Sequence, residues 1–110
     1  MKQTVYLGDF RDAFHRMGRG NNFSYEGLGI LFDWLEEVDP DSELDVIGLC
    51  CDFSEMSVDE VIGHYGLEDE TENMDDDDKA DFVEGYLQYN TSICGEYEAE
   101  NTKHFVFVNF

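Results

Sequence analysis

Negative charge sets the terms on which this chain can fold. Of its 110 residues, 27 are Asp or Glu and 6 are Lys or Arg, for a formal charge of −21. Four of the cations, Lys2, Arg11, Arg16 and Arg19, lie in the first twenty residues beside Asp9 and Asp12. From residue 21 onward, Lys79 and Lys103 face the remaining 25 carboxylates. Carboxylates at this density must stay on the surface and repel one another there. A compact state therefore depends on a well-patterned apolar interior. The material for one is present: 42% of the residues are hydrophobic and 15% aromatic, more than a solvating acidic tail carries. The length suits one domain over residues 1–110.

The apolar pattern predicts the elements in turn. Residues 4–7 are a short apolar lead-in or strand. Leu7, Phe10, Phe14 and Met17 make one helical stripe, with Asp12 and Arg16 a turn apart, and Gly18, Gly20, Asn21 and Asn22 stop it. Ser24 reads as the N-cap of a second helix, with Phe23 stapled to Leu28. That helix turns Leu28, Leu31, Phe32, Leu35 and Val38 inward, leaves Asp33, Glu36 and Glu37 mainly outside, and ends at Asp39-Pro40-Asp41-Ser42. Leu44 to Phe53 is apolar at both parities and is expected to be a strand buried on both faces.

Ser57-Val58-Asp59-Glu60 fits a capping box, so a third helix should start there, with Met56 stapled to Val61 and Gly66 closing it. Val58, Val61, Ile62 and Tyr65 are its inward face. Residues 68–78 read as an acidic loop that leads into a fourth helix with Phe82, Val83, Tyr86 and Leu87 inside. Ile93 to Ala99 and Lys103 to Phe110 alternate as two strands of a hairpin around Glu100-Asn101-Thr102. The expected fold is α+β. About four helices pack on one face of a small, mainly antiparallel three-stranded sheet with a C-terminal hairpin. Leu31, Leu35, Val46, Leu49, Val61, Phe82, Phe105 and Phe107 are expected in one core.

Several chemistries find no support in the spacing. Asp39-x-Asp41-x-Glu43-x-Asp45 begins like a calcium loop, but Leu44 stands where that loop needs Gly and Cys50 where it needs Glu. Cys50, Cys51, Cys94, His64 and His104 lack zinc-ligand spacing. A reactive thiolate needs an electropositive, partly exposed setting, which this chain is poorly equipped to supply. The ten glycines form no phosphate-binding fingerprint. We therefore expect no enzyme activity, no metal and no cofactor. Asp75-Asp76-Asp77-Asp78-Lys79 resembles the site cut by enteropeptidase and marks an exposed segment.

The charge field also bears on partners. It disfavours direct contact with nucleic acid or an anionic membrane, because phosphates repel it. No apolar run approaches the ~20 residues of a membrane span, and the N-terminus lacks a signal peptide's apolar stretch. Three cysteines, two of them adjacent, suit a reducing cytoplasm. What remains is an acidic surface in search of a basic partner. Glu68, Asp69, Glu70, Glu72, Asp75, Asp76, Asp77, Asp78, Asp81 and Glu84 stand against Lys79 alone. Asp77, Asp81 and Glu84 line up along one side of the fourth helix, and Asp33, Glu36 and Glu37 are expected to assist from a neighbouring helix. One helical turn advances about 5.4 Å, and B-DNA presents a phosphate every ~3.4 Å along each strand. Such a row approximates part of a phosphate track.

Three stretches carry a resemblance. Asp9-Phe10-Arg11-Asp12-Ala13-Phe14, Phe23-Ser24-Tyr25-Glu26-Gly27-Leu28-Gly29 and Glu43-Leu44-Asp45-Val46-Ile47-Gly48-Leu49-Cys50-Cys51-Asp52-Phe53-Ser54-Glu55 resemble a group of small acidic proteins of phages, prophages and plasmids. The likeness spans about residues 8–66, and more loosely Tyr86-Leu87-Gln88-Tyr89-Asn90-Thr91 and the terminal strand. Its specific part is the run from Leu44 to Asp52. The setting of that group implies counter-defence in the cytoplasm of an infected or lysogenic bacterium, by anti-CRISPR or antirestriction mimicry of nucleic acid. The expected partner is a basic nucleic-acid-binding complex, a CRISPR effector first and a restriction enzyme second; the alternative is an acidic binding module that regulates another basic DNA-binding protein. The resemblance brings no functional residue with it.

Overall fold

Six helices and three strands succeed one another along the residues that the computed structural model describes, 6–18, 23–38 and 44–110. Helix α1 (Leu7–Arg16) starts at Tyr6, whose backbone N–H donates to the Asp9 carboxylate at 3.2 Å. Gly18 then leaves the helical region with φ of 72°. Helix α2 (Tyr25–Val38) is capped as its sequence requires: the Ser24 hydroxyl accepts from the Gly27 N–H at 2.9 Å. Phe23 and Leu28 are both buried beside it. Residues 4 and 5 of the lead-in, the Gly20-Asn21-Asn22 stop, the Asp39-Pro40-Asp41-Ser42 terminator and Asp39, Asp41 and Glu43 of the calcium-like run lie outside the described residues.

The stretch from Leu44 to Phe53 is not a strand. It forms helix α3 (Val46–Asp52), and strand β1 (Phe53–Ser57) begins where the expected strand ended. The reason is local. Asp45 caps the helix, its carboxylate accepting from the Gly48 N–H at 3.1 Å. Val46, Leu49 and Cys50 follow i, i+3 and i+4, so one helical face meets the core.

Helix α4 (Val58–Tyr65) carries the full capping box. Ser57 Oγ accepts from the Glu60 N–H at 3.2 Å, and the Ser57 N–H donates to Glu60 Oε1 at 3.1 Å. Gly66 ends it in the left-handed region, φ 68° and ψ 42°. The acidic stretch that follows is no simple loop. Leu67 and Thr71, one turn apart, are both buried, and Thr71 Oγ1 donates to the Leu67 carbonyl at 2.9 Å. This turn is the short helix α5 (Glu68–Thr71), and helix α6 (Asp76–Asn90) starts inside the Asp run.

Strands β2 (Ile93–Ala99) and β3 (Thr102–Val108) form the hairpin, and β1 adds to the other side of β3, giving the antiparallel order β1-β3-β2. The turn has two residues, Glu100 and Asn101, with φ of 55° and 63°. Both lie in the left-handed region that a type I′ hairpin demands. An α+β fold with an antiparallel three-stranded sheet and a C-terminal hairpin is therefore observed.

Helices cover both faces of this sheet and not one, and that is the main correction to the expected architecture. Phe105, Val106 and Phe107 on the central strand are all fully buried, which a strand open on one face could not achieve. Val106 joins Phe10, Phe14, Phe23, Leu28, Leu31, Leu35, Val46 and Phe53, the side of α1, α2 and α3. Phe105 and Phe107 join Val58, Val61, Ile62, Leu67, Val83 and Leu87, the side of α4, α5 and α6. The residues expected in one core are thus divided by the sheet. Leu49 and Phe82 only flank their clusters, half-buried. No helix among the described residues is long and apolar enough to cross a membrane.

Candidate functional site

The acidic surface is built on α5 and the first half of α6. Leu67 and Thr71 hold the α5 turn against the core, so Glu68, Asp69, Glu70 and Glu72 point outward and are exposed. Asp75 caps α6, accepting from the Asp78 N–H at 2.8 Å. Asp76, Asp77 and Asp78 fill the first turn, where the positive end of the helix dipole offsets part of their repulsion by about 0.3–1 kcal/mol each. They and Asp81 are exposed. Val83 and Leu87 anchor the same helix from the inside.

Asp76, Asp77 and Asp81 look onto a cleft of about 450 Å³ between α6, the start of α4 and the tip of the β2–β3 hairpin. Asp59 and Glu98 contribute two further carboxylates to its walls. Lys79 and Lys103, the two cations of the chain beyond residue 20, line it as well. Negative charge in a concave setting focuses the field and favours a protruding cationic side chain.

Glu84 leaves the row. It is half-buried against β2, where burial, the neighbouring Glu96 carboxylate and a hydrogen bond to Glu96 raise its affinity for a proton; Lys103 opposes the shift. Lys103 Nζ lies 3.5 Å from Glu96 Oε1. The expected alignment of Asp77, Asp81 and Glu84 therefore keeps its first two members at the surface and commits the third to the sheet.

The assisting helix is not a neighbour. Asp33, Glu36 and Glu37 are exposed on α2, but α2 packs with α1 on the face of the sheet opposite α6. The structure brings the carboxylates of residues 68–81 together and leaves those of α2 on the other side.

A polar network that periodicity does not reveal joins the elements on the α2 side. Glu55 of β1 accepts from the Ser24 N–H at 2.9 Å and from the Tyr97 hydroxyl. Ser24 Oγ and Tyr97 Oη are 3.0 Å apart. Burial, then the Glu55 hydrogen bond, push the Tyr97 hydroxyl up to about 12. The signal was present in Ser24 and Gly27, but their partner lies 31 residues from Ser24.

Most of the other chemistry-bearing side chains lie against rings or the core. His64 meets the Tyr65 ring edge-on at 4.6 Å, and His104 stacks on Tyr97 at 4.9 Å and 7°. Cys50 and Cys94 are half-buried beside the first cluster and Cys51 is exposed. Burial pushes the Cys94 thiol up to about 12, so it stays protonated at neutral pH.

Comparison with protein-family models, with curated proteins and with solved structures gave no match to this chain.

Proposed function

We propose that this chain is an inhibitor carried by a phage or mobile element that binds a host nucleic-acid-binding defence complex, acting in the host cytoplasm without catalysis. The reading favours a CRISPR effector as target, with a restriction enzyme as the alternative. One observation carries it: Glu68, Asp69, Glu70, Glu72, Asp75, Asp76, Asp77, Asp78 and Asp81 are all exposed on one continuous segment. From Asp75 to Asp81 the helix advances about 9 Å, the span of two to three phosphates on one DNA strand. Repulsion on this scale costs stability, and a Lys/Arg-lined groove is the kind of partner that would offset it. Opposite fields would steer the two together and weaken in salt.

The reading is tested by expressing the chain in bacteria that restrict an incoming plasmid through a CRISPR system or a restriction enzyme. Transformation should rise by orders of magnitude with the wild type. It should fall back with Asp77→Lys and Asp81→Lys together, a variant expected to melt near the wild-type temperature because both side chains face water and relief of like-charge repulsion offsets the dipole interaction that Asp77 loses. Asp75 is left in place because it caps α6. No protection against either system, or full protection by the double variant, would overturn the mechanism. So would tight binding of free duplex DNA at physiological salt, since a mimic competes with DNA and does not recruit it.

A further inference from the structure

The outer edge of β2 offers a second kind of recognition, independent of the acidic row. The two-residue turn makes Ala99 and Thr102 a pair that exchanges both backbone hydrogen bonds. Alternation then makes Tyr97 and His104 the next such pair, so the N–H and C=O groups of Glu96 and Glu98 point away from β3. Among the described residues no strand lies on that side, since β2 is last in the order β1-β3-β2. No backbone hydrogen bond among the described residues takes up those groups. The edge is a ready template for an added strand.

Its side chains select what can be added. Glu96 and Glu98 lie on the α6 side of the sheet, with Phe105 and Lys103 as their cross-strand partners. The Glu84 carboxylate of α6 lies beside Glu96 there. Lys103 Nζ, 3.5 Å from Glu96 Oε1, is the cation paired with this group among the described residues. Two copies of this chain pairing through β2 would set Glu96 and Glu98 against the same residues, an arrangement of like charges that is destabilising. A strand with cations at alternate positions would meet the opposite. We infer that the β2 edge binds an extended basic segment of another protein by strand addition. Residues opposite Glu96 and Glu98 would be Lys or Arg, and the one between them, facing the α2 side next to Tyr97, would be small or apolar.

The test uses the full chain labelled with nitrogen-15 and three synthetic peptides. The first alternates Lys with Val and Thr; the second has Glu for Lys; the third is the first with its inward-facing amides N-methylated, which keeps the charge and abolishes strand pairing. The Lys peptide should bind and slow exchange of the Glu96 and Glu98 amides by tenfold or more. The Glu peptide should not bind, and N-methylation should weaken binding at least tenfold. Glu96→Lys with Glu98→Lys should exchange the preference between the first two peptides, with an unchanged fold in its amide spectrum. Equal binding of the N-methylated peptide would reduce the effect to charge alone and overturn the proposal. Amides of Glu96 and Glu98 already protected in the free protein would overturn it too. So would concentration-dependent dimerisation that protects the same amides, which would make the occupant a second copy. None of these readouts involves residues 68–78, so this inference and the mimicry reading can fail separately.

Discussion

The Glu55 carboxylate occupies the space that a side chain on residue 27 would need: an ideal Cβ on Gly27 lies 1.7 Å from Glu55 Oε1. The missing side chain lets β1 reach over the central strand and close the N-terminus of α2, through the Ser24 N–H, while its second oxygen accepts from Tyr97 on the far strand. Gly27→Ala should therefore expel a hydrogen-bonded carboxylate and cost about 1–3 kcal/mol in urea melts. In a Glu55→Ala background the same change meets only Ser24 Oγ, at 3.2 Å. Ala is then favoured over Gly in a helix by up to about 1 kcal/mol, so its effect should vanish or become stabilising. The same cost in both backgrounds would show that the contact is not the reason for glycine.

Glu84 gives a pH-dependent prediction. The fold holds its proton more tightly than the unfolded chain does, through burial and the Glu96 carboxylate. The stability it contributes is complete below the unfolded carboxyl range and is lost as pH rises through the raised value. At pH 7 it is a cost. Glu84→Gln should stabilise the fold at pH 7 by about 0.2–1 kcal/mol, as typical of opposed like charges, seen as a raised melting temperature, and the gain should disappear near pH 4. An unchanged or lowered melting temperature at pH 7 would mean the pair is not repulsive.

The hairpin turn holds a removable strain. Glu100 sits at φ 55° and Asn101 at φ 63°, and the first of these suits Asn or Gly far better than Glu. Glu100→Asn with Asn101→Gly should stabilise by about 0.5–1 kcal/mol, read in denaturant melts at fixed pH and salt. Destabilisation would place the turn in another conformation.

Burial separates two leucines that sequence pattern alone ranks together. Leu31 is fully buried, whereas Leu49 only flanks the cluster. Leu31→Ala should cost about 2–5 kcal/mol, and Leu49→Ala about half of that or less. Equal costs would move α3 deeper than it is placed.

Much of the fold was legible because it rests on local chemistry. Ser24, the Ser57 and Glu60 box and Gly66 each act within one turn, so four neighbouring residues suffice to read them. Leu44 to Phe53 reads as a strand because a short apolar run supports either period; the capping Asp45 set between Leu44 and Val46 is the deciding residue. The run Phe105-Val106-Phe107 carried the both-faces signal and implied helices on each side of the sheet. The candidate surface was legible as charge but not as shape. Asp77 and Asp81 stay outside while Glu84 lies against β2 beside Glu96, a residue of another element that its spacing along the chain does not record. Asp33, Glu36 and Glu37 are separated from them by the sheet itself, which no spacing along the chain records.

The strand order has a consequence for how the protein is made. Both β1 and β2 pair only with β3 in this sheet, and β3 follows them in the chain. Phe53 must wait for Val108. While the chain is being synthesised, β1 and the helices have no sheet to pack on, and each apolar cluster stays open along the side that Phe105, Val106 and Phe107 will close. Folding of the whole is thus deferred to the arrival of one short segment. Until that segment emerges, like-charge repulsion between nascent chains opposes contact between their uncovered apolar faces.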